Sequence, residues 1–420
     1  MSRLIEHILR KAKNNKVIKK AYQSTVNSYL NSHIGEITPF NPRSTSFEKR
    51  RINLLVPSIN QEHLFGGIST AINFFDQLYK YEQDSFRRII TTDAAPNSED
   101  LLKFSGYTHV SSENDVDGNS QIVSFNDRYN KTIPVGKEDI FIATSWWTAY
   151  FAQRIVKWQA EFYNQKPKRI IYFIQDFEPG FYSWSSQYSL ALSTYLYKGE
   201  QIAVFNSSLL KNFFNNHGYK FTEEYYFEPK LNSSLKKHLI SFDKMEKKKK
   251  ILIYGRPSVA RNAFALIVES LRIWVWTQPN ADQWEVISAG EHHSDVEIGN
   301  GVVIKSKGKM SLEDYANELK ESALGVSLMI SPHPSYPPLE MAHFGILVLT
   351  NNYENKNLSE LHHNIYSLDN ISPDSIAAQL TKLCTEFEGN KKAGDKESMA
   401  DYLSEGEQFL FIQELSEKLK

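Results

Sequence analysis

The chain has 420 residues, of which 41% are hydrophobic, and its basic and acidic residues nearly balance to leave a net charge of −1. This length exceeds what one hydrophobic core of ordinary size serves, so we expect two domains. The charge gives no support for general polyanion binding, and the single cysteine, Cys384, excludes an internal disulfide and a cysteine-based metal site. No stretch is apolar enough to span a bilayer or form the core of a signal peptide, which predicts a cytoplasmic protein.

Residues 1–45 are predicted to form a basic helical extension. Between residues 3 and 20, seven lysines and arginines accompany a single acid, Glu6, and apolar residues form a partial stripe. A basic amphipathic helix of this kind can lie on an anionic membrane surface, or it can pack as a solvated helix on its own protein. The pattern leaves both interpretations open, and the functional one is a peripheral membrane contact through residues 1–20.

Residues 46–240 are predicted to form a first α/β domain. It begins with a clear strand at residues 51–57, RINLLVP, followed by a loop and an apolar helical pattern. Strand and helix patterns then alternate along the chain. The predicted strands are 88–91, 121–125, 139–144, 169–174 and 201–205, and the predicted helices are 146–158, 185–197 and 207–216. Such alternation favours a mostly parallel, doubly wound sheet.

Residues 241–395 are predicted to form a second α/β domain. A polar stretch at 233–250 resembles a linker, and it ends in four lysines that are predicted to be solvated. The predicted strands are 251–254, 284–289, 302–304 and 364–368, and the predicted helices are 263–276, one capped by Ser311, and 373–387. The tail, 396–420, is predicted to be a helix that crosses back to the first domain. Two doubly wound domains place a cleft between the carboxyl ends of their sheets.

The stretch 323–351 is predicted to be a strand at 324–330, a proline-rich loop, a short helix and a second strand at 346–349. Prolines at positions 332, 334, 337 and 338 end the first strand because they lack backbone donors. Pro338 fits the first turn of a helix, and Gly345 fits the position that ends it. Glu340 then faces the crevice beyond the strand, where its carboxylate can accept hydrogen bonds from sugar hydroxyls.

Candidate phosphate-binding residues also follow predicted strands. Arg256 and Arg261 lie in the turn after the first strand of the second domain, where two guanidiniums suit a diphosphate better than a core. Lys309 follows another strand of that domain and lies near the start of the next helix. In the first domain Gly66 and Gly67 precede a helix, where adjacent glycines let the backbone approach an anion. Solvated arginines and an ordinary glycine turn are the alternatives.

Candidate sugar-binding residues lie at a strand end of the first domain. Asp176 and Glu178 directly follow a predicted strand, and acids at that point can bind sugar hydroxyls or accept a proton. The alternative is a structural turn before Pro179. Trp146 and Trp147 also follow a predicted strand, and they are expected to offer ring faces to a sugar.

Together these motifs resemble glycosyltransferases of the two-domain GT-B fold in the large retaining family 4. Members carry a glycine-rich loop after the first strand, matched here by glycines 66–67. They also carry an arginine and a lysine around the first turn of the donor domain, matched by Arg256 and, in place of the lysine, Arg261. Their Glu-x7-Glu motif is matched in its second half by Glu340, whereas its first glutamate falls at Pro332 and is missing.

The resemblance implies a role for each residue. Arg256, Arg261 and Lys309 hold the diphosphate of the donor and stabilise the charge on the leaving phosphate, without a required metal. Glu340 binds the ribose of the nucleotide. Tyr336 contacts the phosphates or the sugar, and it is a candidate to replace the missing first glutamate, which contacts the donor sugar in the family.

The facing domain supplies two implied catalytic acids, Asp176 and Glu178, which hold the acceptor or donor sugar. The stretches YFIQDFEPGFYSW, YGRP and SYPPLEMAHFG are similar to bacterial rhamnosyltransferases that act on surface polysaccharides, including S-layer glycans. This similarity implies dTDP-rhamnose as donor and a rhamnose-containing, lipid-linked glycan as acceptor. The near-neutral charge predicts no nucleic-acid partner. Two alternatives stay open, a nucleotide-sugar epimerase and a nucleotide-sugar or glycan binding protein that has lost its chemistry.

Overall fold

The computed structural model describes residues 34–60, 66–115, 118–239, 246–389 and 400–419. Most of the predicted basic extension, residues 1–33, lies outside these ranges, and the predicted membrane contact lies there with it. The described part forms two α/β units, each built on a largely parallel sheet, so the expected pair of doubly wound units is confirmed. None of the described helices is long and apolar enough to cross a bilayer.

The first unit is built on an eight-stranded sheet. The strands in this part of the chain are β1 (Asn41–Ser44), β2 (Arg51–Val56), β3 (Phe86–Thr91), β4 (Thr108–Ser111), β5 (Ser120–Ser124), β6 (Thr132–Val135), β7 (Asp139–Ala143), β8 (Ile170–Ile174), β9 (Gln201–Asn206) and β10 (Glu223–Phe227). The sheet order is β10-β9-β8-β7-β2-β3-β5-β4 with every pairing parallel, and β1 pairs separately with β6. Strands β2, β7, β8 and β9 are buried along their whole length, as expected of strands covered on both faces.

Helices of the first unit cover both faces of this sheet. They are α1 (Gly66–Tyr79), α2 (Ser98–Leu101), α3 (Trp146–Tyr163), α4 (Ser186–Tyr195) and α5 (Ser208–Asn216). The next helix, α6 (Ser233–Leu239), instead packs through Leu235 into the core of the second unit. Successive residues of a strand point to opposite faces, so Leu54 joins the core that contains Phe74 of α1, whereas Leu55 joins the core that contains Phe151 of α3.

The second unit is built on a seven-stranded sheet. Its strands are β11 (Lys248–Gly255), β12 (Glu285–Gly290), β13 (Val296–Gly299), β14 (Val302–Gly308), β15 (Ser322–Val326), β16 (Leu347–Asn351) and β17 (Ile365–Leu368). The remaining described helices are α7 (Phe264–Thr277), α8 (Leu312–Glu321), α9 (Tyr336–His343), α10 (Pro373–Gly389), α11 (Ala400–Leu403) and α12 (Ile412–Lys418). The order is β13-β14-β12-β11-β15-β16-β17, parallel except for the antiparallel edge strand β13.

The last described segment of the chain joins the two units. Tyr402 is buried in the core of the second unit, in contact with the ring of His343 at a centroid distance of 4.6 Å. Phe409, Ile412 and Leu415 are instead buried in the core of the first unit beside α1. The segment therefore crosses from the second unit to the first.

The prediction of a solvated lysine run is wrong for two of its four members. Lys247 and Lys250 are each only 5% exposed. The ammonium of Lys247 donates to the carbonyl oxygen of Leu319 at 2.7 Å, and Lys250 pairs with Glu318 at 2.8 Å. Both partners come from α8, far along the chain, so the local polar composition gave no sign of the contacts.

The observed elements differ from the predicted ones mainly in the edge strands and short strands and in the ends of a few elements. The edge and short strands β1, β4, β6, β10 and β13 were not predicted, because segments such as Thr108–Ser111 are largely exposed and lack an apolar pattern. The strand predicted to extend to residue 330 ends at Val326, and α9 begins at Tyr336, two residues before Pro338. Gly345 has φ +71°, which agrees with its predicted place after the helix.

Candidate functional site

A cleft of about 650 Å³ lies between the two units, beyond the carboxyl ends of β11, β12 and β14. The first unit contributes residues of α1 to its wall, and the second unit contributes residues at its strand ends and on α8 and α9. The lining residues include Gly66, Thr70, Tyr254, Gly290, Lys309, Tyr315, Tyr336 and Glu340. A concave site of this volume, in which a few polar groups converge on a partly apolar wall, suits a small organic ligand.

Glu340 reaches the cleft from α9. The hydroxyl of Tyr315 on α8 donates a hydrogen bond to its Oε2 at 3.1 Å. Burial raises the pKa of Glu340 to about 7, and the Tyr315 hydrogen bond opposes that shift. A carboxylate can accept several hydrogen bonds, so Glu340 can accept further bonds from the hydroxyls of a ligand.

Tyr336 connects the cleft to the first unit. Its hydroxyl lies 3.2 Å from Oδ1 and 3.0 Å from Nδ2 of Asn206 at the end of β9. A β-carbon added at Gly66 would lie 3.6 Å from the Tyr336 ring, so the start of α1 and this ring are neighbours. Gly67 instead adjoins Gln175, whose Oε1 would lie 1.9 Å from an added β-carbon. Tyr336 and Gly66 therefore meet at the wall of the cleft, while Gly67 packs behind it.

Arg256 and Lys309 lie at the ends of two strands that flank β12. Arg256 directly follows β11 and hydrogen-bonds the side chain of Tyr254. Its Cγ would lie 3.2 Å from a β-carbon at Gly290, which lines the cleft. Lys309 directly follows β14, is exposed and lines the cleft itself. Because β12 pairs with both β11 and β14, the two cations lie at the same edge of the sheet.

Arg261 pairs with a residue of the other unit. Its Nε lies 3.4 Å from Oδ2 of Asp176, and its guanidinium lies over the ring of Phe181 at 4.0 Å from the centroid. The carboxylate of Asp176 also accepts a hydrogen bond from the hydroxyl of Ser331. Arg261 and Asp176 thus meet at the seam between the units. An anion bound there would either contact the Arg261 guanidinium alongside the Asp176 carboxylate or displace that carboxylate.

Glu178 is buried and faces its own unit. Its carboxylate accepts a hydrogen bond from the backbone N–H of Trp146 at the start of α3, a donor that has no partner within the helix. Burial raises the pKa of Glu178 to about 8, and the negative charge of Asp176 adds to the shift. Of the two predicted acids, Asp176 is the one that contacts the second unit.

The prediction that Trp146 offers a ring face to a sugar is wrong. Trp146 is fully buried, and its Nε1 donates to the hydroxyl of Tyr182 at 2.9 Å. The first turn of α3 packs into the core of the first unit, so a strand-end position did not imply exposure here. Trp147 is partly buried, and its Nε1 donates to Asp93 at 3.1 Å.

Two buried ionisable residues near Asp176 were not singled out from the sequence. Lys356 is fully buried, and its ammonium donates to the carbonyl oxygen of Met329 at 2.6 Å. Burial lowers the pKa of Lys356 to about 7, and the nearby charge of Asp176 opposes the shift. Burial likewise lowers the pKa of His333 to about 4. Neither residue lies in a recognisable motif, since Lys356 follows a polar turn and His333 is one of several residues in a proline-rich loop.

The aromatic partners of Glu340 were also missed. Tyr254 and Tyr315 line the cleft, yet each occupies a position that the sequence marks only as part of a strand or an amphipathic helix. Within the described ranges no group of three or more histidine, cysteine, aspartate or glutamate side chains is arranged to hold a metal ion.

Solved structures with the same architecture identify the fold. The α,α-trehalose-phosphate synthase of Burkholderia xenovorans superposes with a TM-score of 0.54 at 10% identity, covering 88% of this chain and all of that one (100%). TarM of S. aureus superposes with a TM-score of 0.52 at 10% identity, covering 89% of this chain and 99% of that one. Two facing α/β units with a ligand-sized cleft at their strand ends define the GT-B fold.

Sequence comparisons define the family. The domain description "WsaF, N-terminal domain" matches residues 51–208, and "WsaF, C-terminal domain" matches residues 249–381. The chain therefore belongs to the WsaF family. It is also 26% identical over 250 residues to the O-antigen biosynthesis protein RfbC of Myxococcus xanthus, a match that covers 58% of this chain and only 18% of that protein.

Proposed function

We propose that this glycosyltransferase moves L-rhamnose from dTDP-rhamnose to a rhamnose-containing, lipid-linked polysaccharide acceptor, with retention of configuration. The observation that carries the proposal is the presence of Lys309 and Glu340 in one cleft of about 650 Å³. A cation suited to phosphate and an acid suited to hydroxyls, set in a partly apolar wall, match the groups of a nucleotide sugar. The similarity to an O-antigen biosynthesis protein supports polysaccharide assembly as the setting. Within that setting we propose the assembly of an S-layer glycan or another surface polysaccharide.

The nucleoside is assigned to the wall formed by α8 and α9. Glu340 accepts a hydrogen bond from a sugar hydroxyl of the nucleoside, while the Tyr315 hydroxyl holds its other oxygen at 3.1 Å. Tyr336 contacts the phosphates or the transferred sugar from the start of α9, and Gly66 leaves the adjoining start of α1 free of a side chain. This arrangement orients the donor with its phosphates toward the strand ends.

The diphosphate is assigned to Arg256 and Lys309. Arg261 becomes a third cation at the diphosphate when its guanidinium leaves Asp176 and binds a phosphate oxygen instead. In the proposed reaction the bond between the anomeric carbon and the diphosphate oxygen breaks, and an acceptor hydroxyl oxygen bonds to the same carbon on the same face. The proton of that hydroxyl passes to an oxygen of the leaving phosphate. The cations stabilise the developing negative charge, so the step needs no protein nucleophile and no metal.

The acceptor is assigned to the first unit. Asp176 contacts the second unit through Arg261 and Ser331, which places its carboxylate at the seam that an acceptor must approach. Glu178 supports this site by its bond to the first turn of α3. Pro332 stands where the family motif has its first glutamate, so the second unit has no carboxylate at that position. We therefore assign to Asp176 the contact with the transferred sugar in addition to its place beside the acceptor.

The decisive experiment is incubation of the full chain with dTDP-rhamnose and a synthetic rhamnose acceptor, followed by mass spectrometry and NMR of the new anomeric centre. We expect one added deoxyhexose and an anomeric configuration equal to that of the donor. Conversion of dTDP-rhamnose without any acceptor would instead identify an epimerase, and tight dTDP binding without transfer to any oligosaccharide would identify a binding protein. A thermal-shift series with dTDP, UDP and GDP tests the nucleotide separately.

A further inference from the structure

Glu340 is surrounded by tyrosines from four separate segments. Tyr254 ends β11, Tyr315 lies on α8, Tyr336 begins α9, and Tyr402 comes from the segment that crosses between the units. Burial raises the pKa of each of these phenols, and in each case the negative charge of Glu340 adds to the shift. Four hydroxyls thus lie in the electrostatic field of one carboxylate.

The four hydroxyls have different partners. Tyr254 is hydrogen-bonded to Arg256, and Tyr336 to Asn206. The hydroxyl of Tyr402 is buried and has no hydrogen-bond partner within the described part of the chain. Tyr315 is the tyrosine whose hydroxyl donates to the Glu340 carboxylate, at 3.1 Å. All four tyrosines are therefore close to Glu340, and burial raises the pKa of each, but Tyr315 is distinguished by its hydrogen bond to the Glu340 carboxylate.

We propose that Tyr315 is a positioning residue of the nucleotide site: its hydroxyl keeps the Glu340 carboxylate ionised and oriented, and so sets the pH range over which the cleft binds a nucleoside diphosphate. This inference rests on the proposed function, since it assumes that Glu340 accepts a hydrogen bond from the nucleoside. It assigns to α8 a part in recognition that neither a motif nor a charge pattern of the sequence marks.

The sign of the pH effect follows from the charges that face Glu340. Burial raises the pKa of Glu340 to about 7 even with the Tyr315 bond in place. A lost bond to the ionised form raises the pKa further, so less carboxylate is present at neutral pH. The other groups facing the carboxylate are the phenols of Tyr254, Tyr336 and Tyr402. The cations that line the same cleft are Lys230 and Lys309. None of these changes in Tyr315→Phe.

The test is calorimetric titration of the full chain with dTDP between pH 5.5 and pH 9. In the wild type we expect affinity to rise with pH through about 7, as Glu340 ionises. In Tyr315→Phe the midpoint of that rise moves upward by at least about half a pH unit, so affinity at pH 7 falls at least about twofold and recovers toward pH 9. The matched control is Tyr402→Phe, which removes a hydroxyl near the same carboxylate that makes no hydrogen bond. Superimposable pH profiles for the two variants would overturn the proposal.

A second readout needs no nucleotide. Glutamate labelled with ¹³C at its carboxyl carbon reports the ionisation of Glu340 by NMR, and the resonance is assigned by its loss in Glu340→Gln. We expect Glu340 to titrate at higher pH in Tyr315→Phe than in the wild type and in Tyr402→Phe. An unchanged titration overturns the positioning role whatever the binding data show. If the titration moves but the wild type binds no dTDP at any pH, the proposed nucleotide is wrong and the coupling of Tyr315 to Glu340 stands.

Discussion

Asp176 and Arg261 form an ion pair between the two units, with Nε of Arg261 3.4 Å from Oδ2 of Asp176. Asp176 follows β8 of the first sheet, and Arg261 follows β11 of the second, so the pair links strand ends of different sheets. The Asp176 side chain is 9% exposed and that of Arg261 is 25% exposed, which makes this a partly desolvated contact rather than a surface one. In the proposed mechanism a phosphate and a carboxylate compete for the same guanidinium.

Replacing Asp176 by Asn separates the two proposed roles of this pair. The substitution releases Arg261 from its acidic partner, so dTDP affinity is expected to stay constant or rise. Turnover is expected to fall by about tenfold or more, because the acid assigned to the transferred sugar is lost. Calorimetry with dTDP and steady-state kinetics measure the two effects, with Asp282→Asn, an exposed acid of the second unit, as control. A tenfold loss of dTDP affinity would contradict this assignment.

Replacing Arg256 by Ala tests whether this guanidinium binds the diphosphate of the donor. Loss of one charge-assisted contact to a developing phosphate charge typically costs about 100–1,000-fold in turnover, and we expect a loss in that range. The fold should survive, because Arg256 lies in a turn after β11 and is not part of a hydrophobic core. Circular dichroism checks the fold, and Arg272→Ala on the exposed face of α7 is the matched control. Near-normal turnover with an unchanged spectrum would remove Arg256 from the site.

Replacing Glu340 by Ala tests the nucleoside contact. We expect dTDP affinity to fall by about tenfold or more, since a hydrogen bond to a charged group is lost and the Tyr315 hydroxyl loses its partner. Isothermal titration calorimetry at pH 8, where the wild-type carboxylate is largely ionised, measures the change. Glu313→Ala on the exposed first turn of α8 serves as control. Unchanged affinity for dTDP would count against the assignment of Glu340.

Replacing Gly290 by Ala is expected to damage the cleft through the backbone. Gly290 has φ +132°, and an added β-carbon would lie 2.8 Å from the carbonyl oxygen of Gly255 and 3.2 Å from Cγ of Arg256. We expect the free energy of unfolding to fall by about 1–3 kcal/mol and turnover to fall as Arg256 is displaced. Gly389→Ala, whose β-carbon would meet nothing within 4 Å, should leave both unchanged. If denaturation curves showed that Gly290→Ala, like Gly389→Ala, leaves the free energy of unfolding unchanged, the crowding at Gly290 would be relieved at no cost.

Replacing Lys356 by Met is expected to stabilise the protein in a pH-dependent way. Burial lowers the pKa of Lys356 to about 7, whereas an unfolded lysine keeps its proton to about pH 10.4. Between these values the unfolded chain binds more protons, so wild-type stability rises with pH from about 7 to about 10. Met removes the buried charge, and Asn351 still donates to the carbonyl oxygen of Met329 at 3.0 Å.

The gain for Lys356→Met is therefore expected to be about 1–3 kcal/mol in the free energy of unfolding at pH 7, and to shrink toward pH 10. Chemical denaturation at pH 7 and pH 9.5 measures it, with the exposed Lys305→Met as control. A destabilisation that is the same at both pH values would show that the ammonium contributes mainly through its hydrogen bond to Met329.

The local pattern of the chain was enough to predict the architecture. Strands such as Ile170–Ile174 are continuous apolar runs because both faces of a parallel sheet are covered, and the intervening helices carry a one-sided apolar stripe. The same reasoning located the strand ends, because a ligand site of an open α/β sheet lies where its strands end. It therefore brought Arg256, Lys309 and Glu340 into consideration without any coordinates.

What the sequence alone determined is thus the succession of strands and helices and the candidate polar residues that follow them, since both depend on neighbours along the chain. Only the tertiary structure decided that Trp146 is buried, that Arg261 meets Asp176, that Lys250 lies among acids of α8 and that Tyr315 bonds Glu340. Each of these depends on a partner from a distant segment. Burial and pairing are set by how elements pack in space, and no local periodicity encodes which remote side chain will face a given residue.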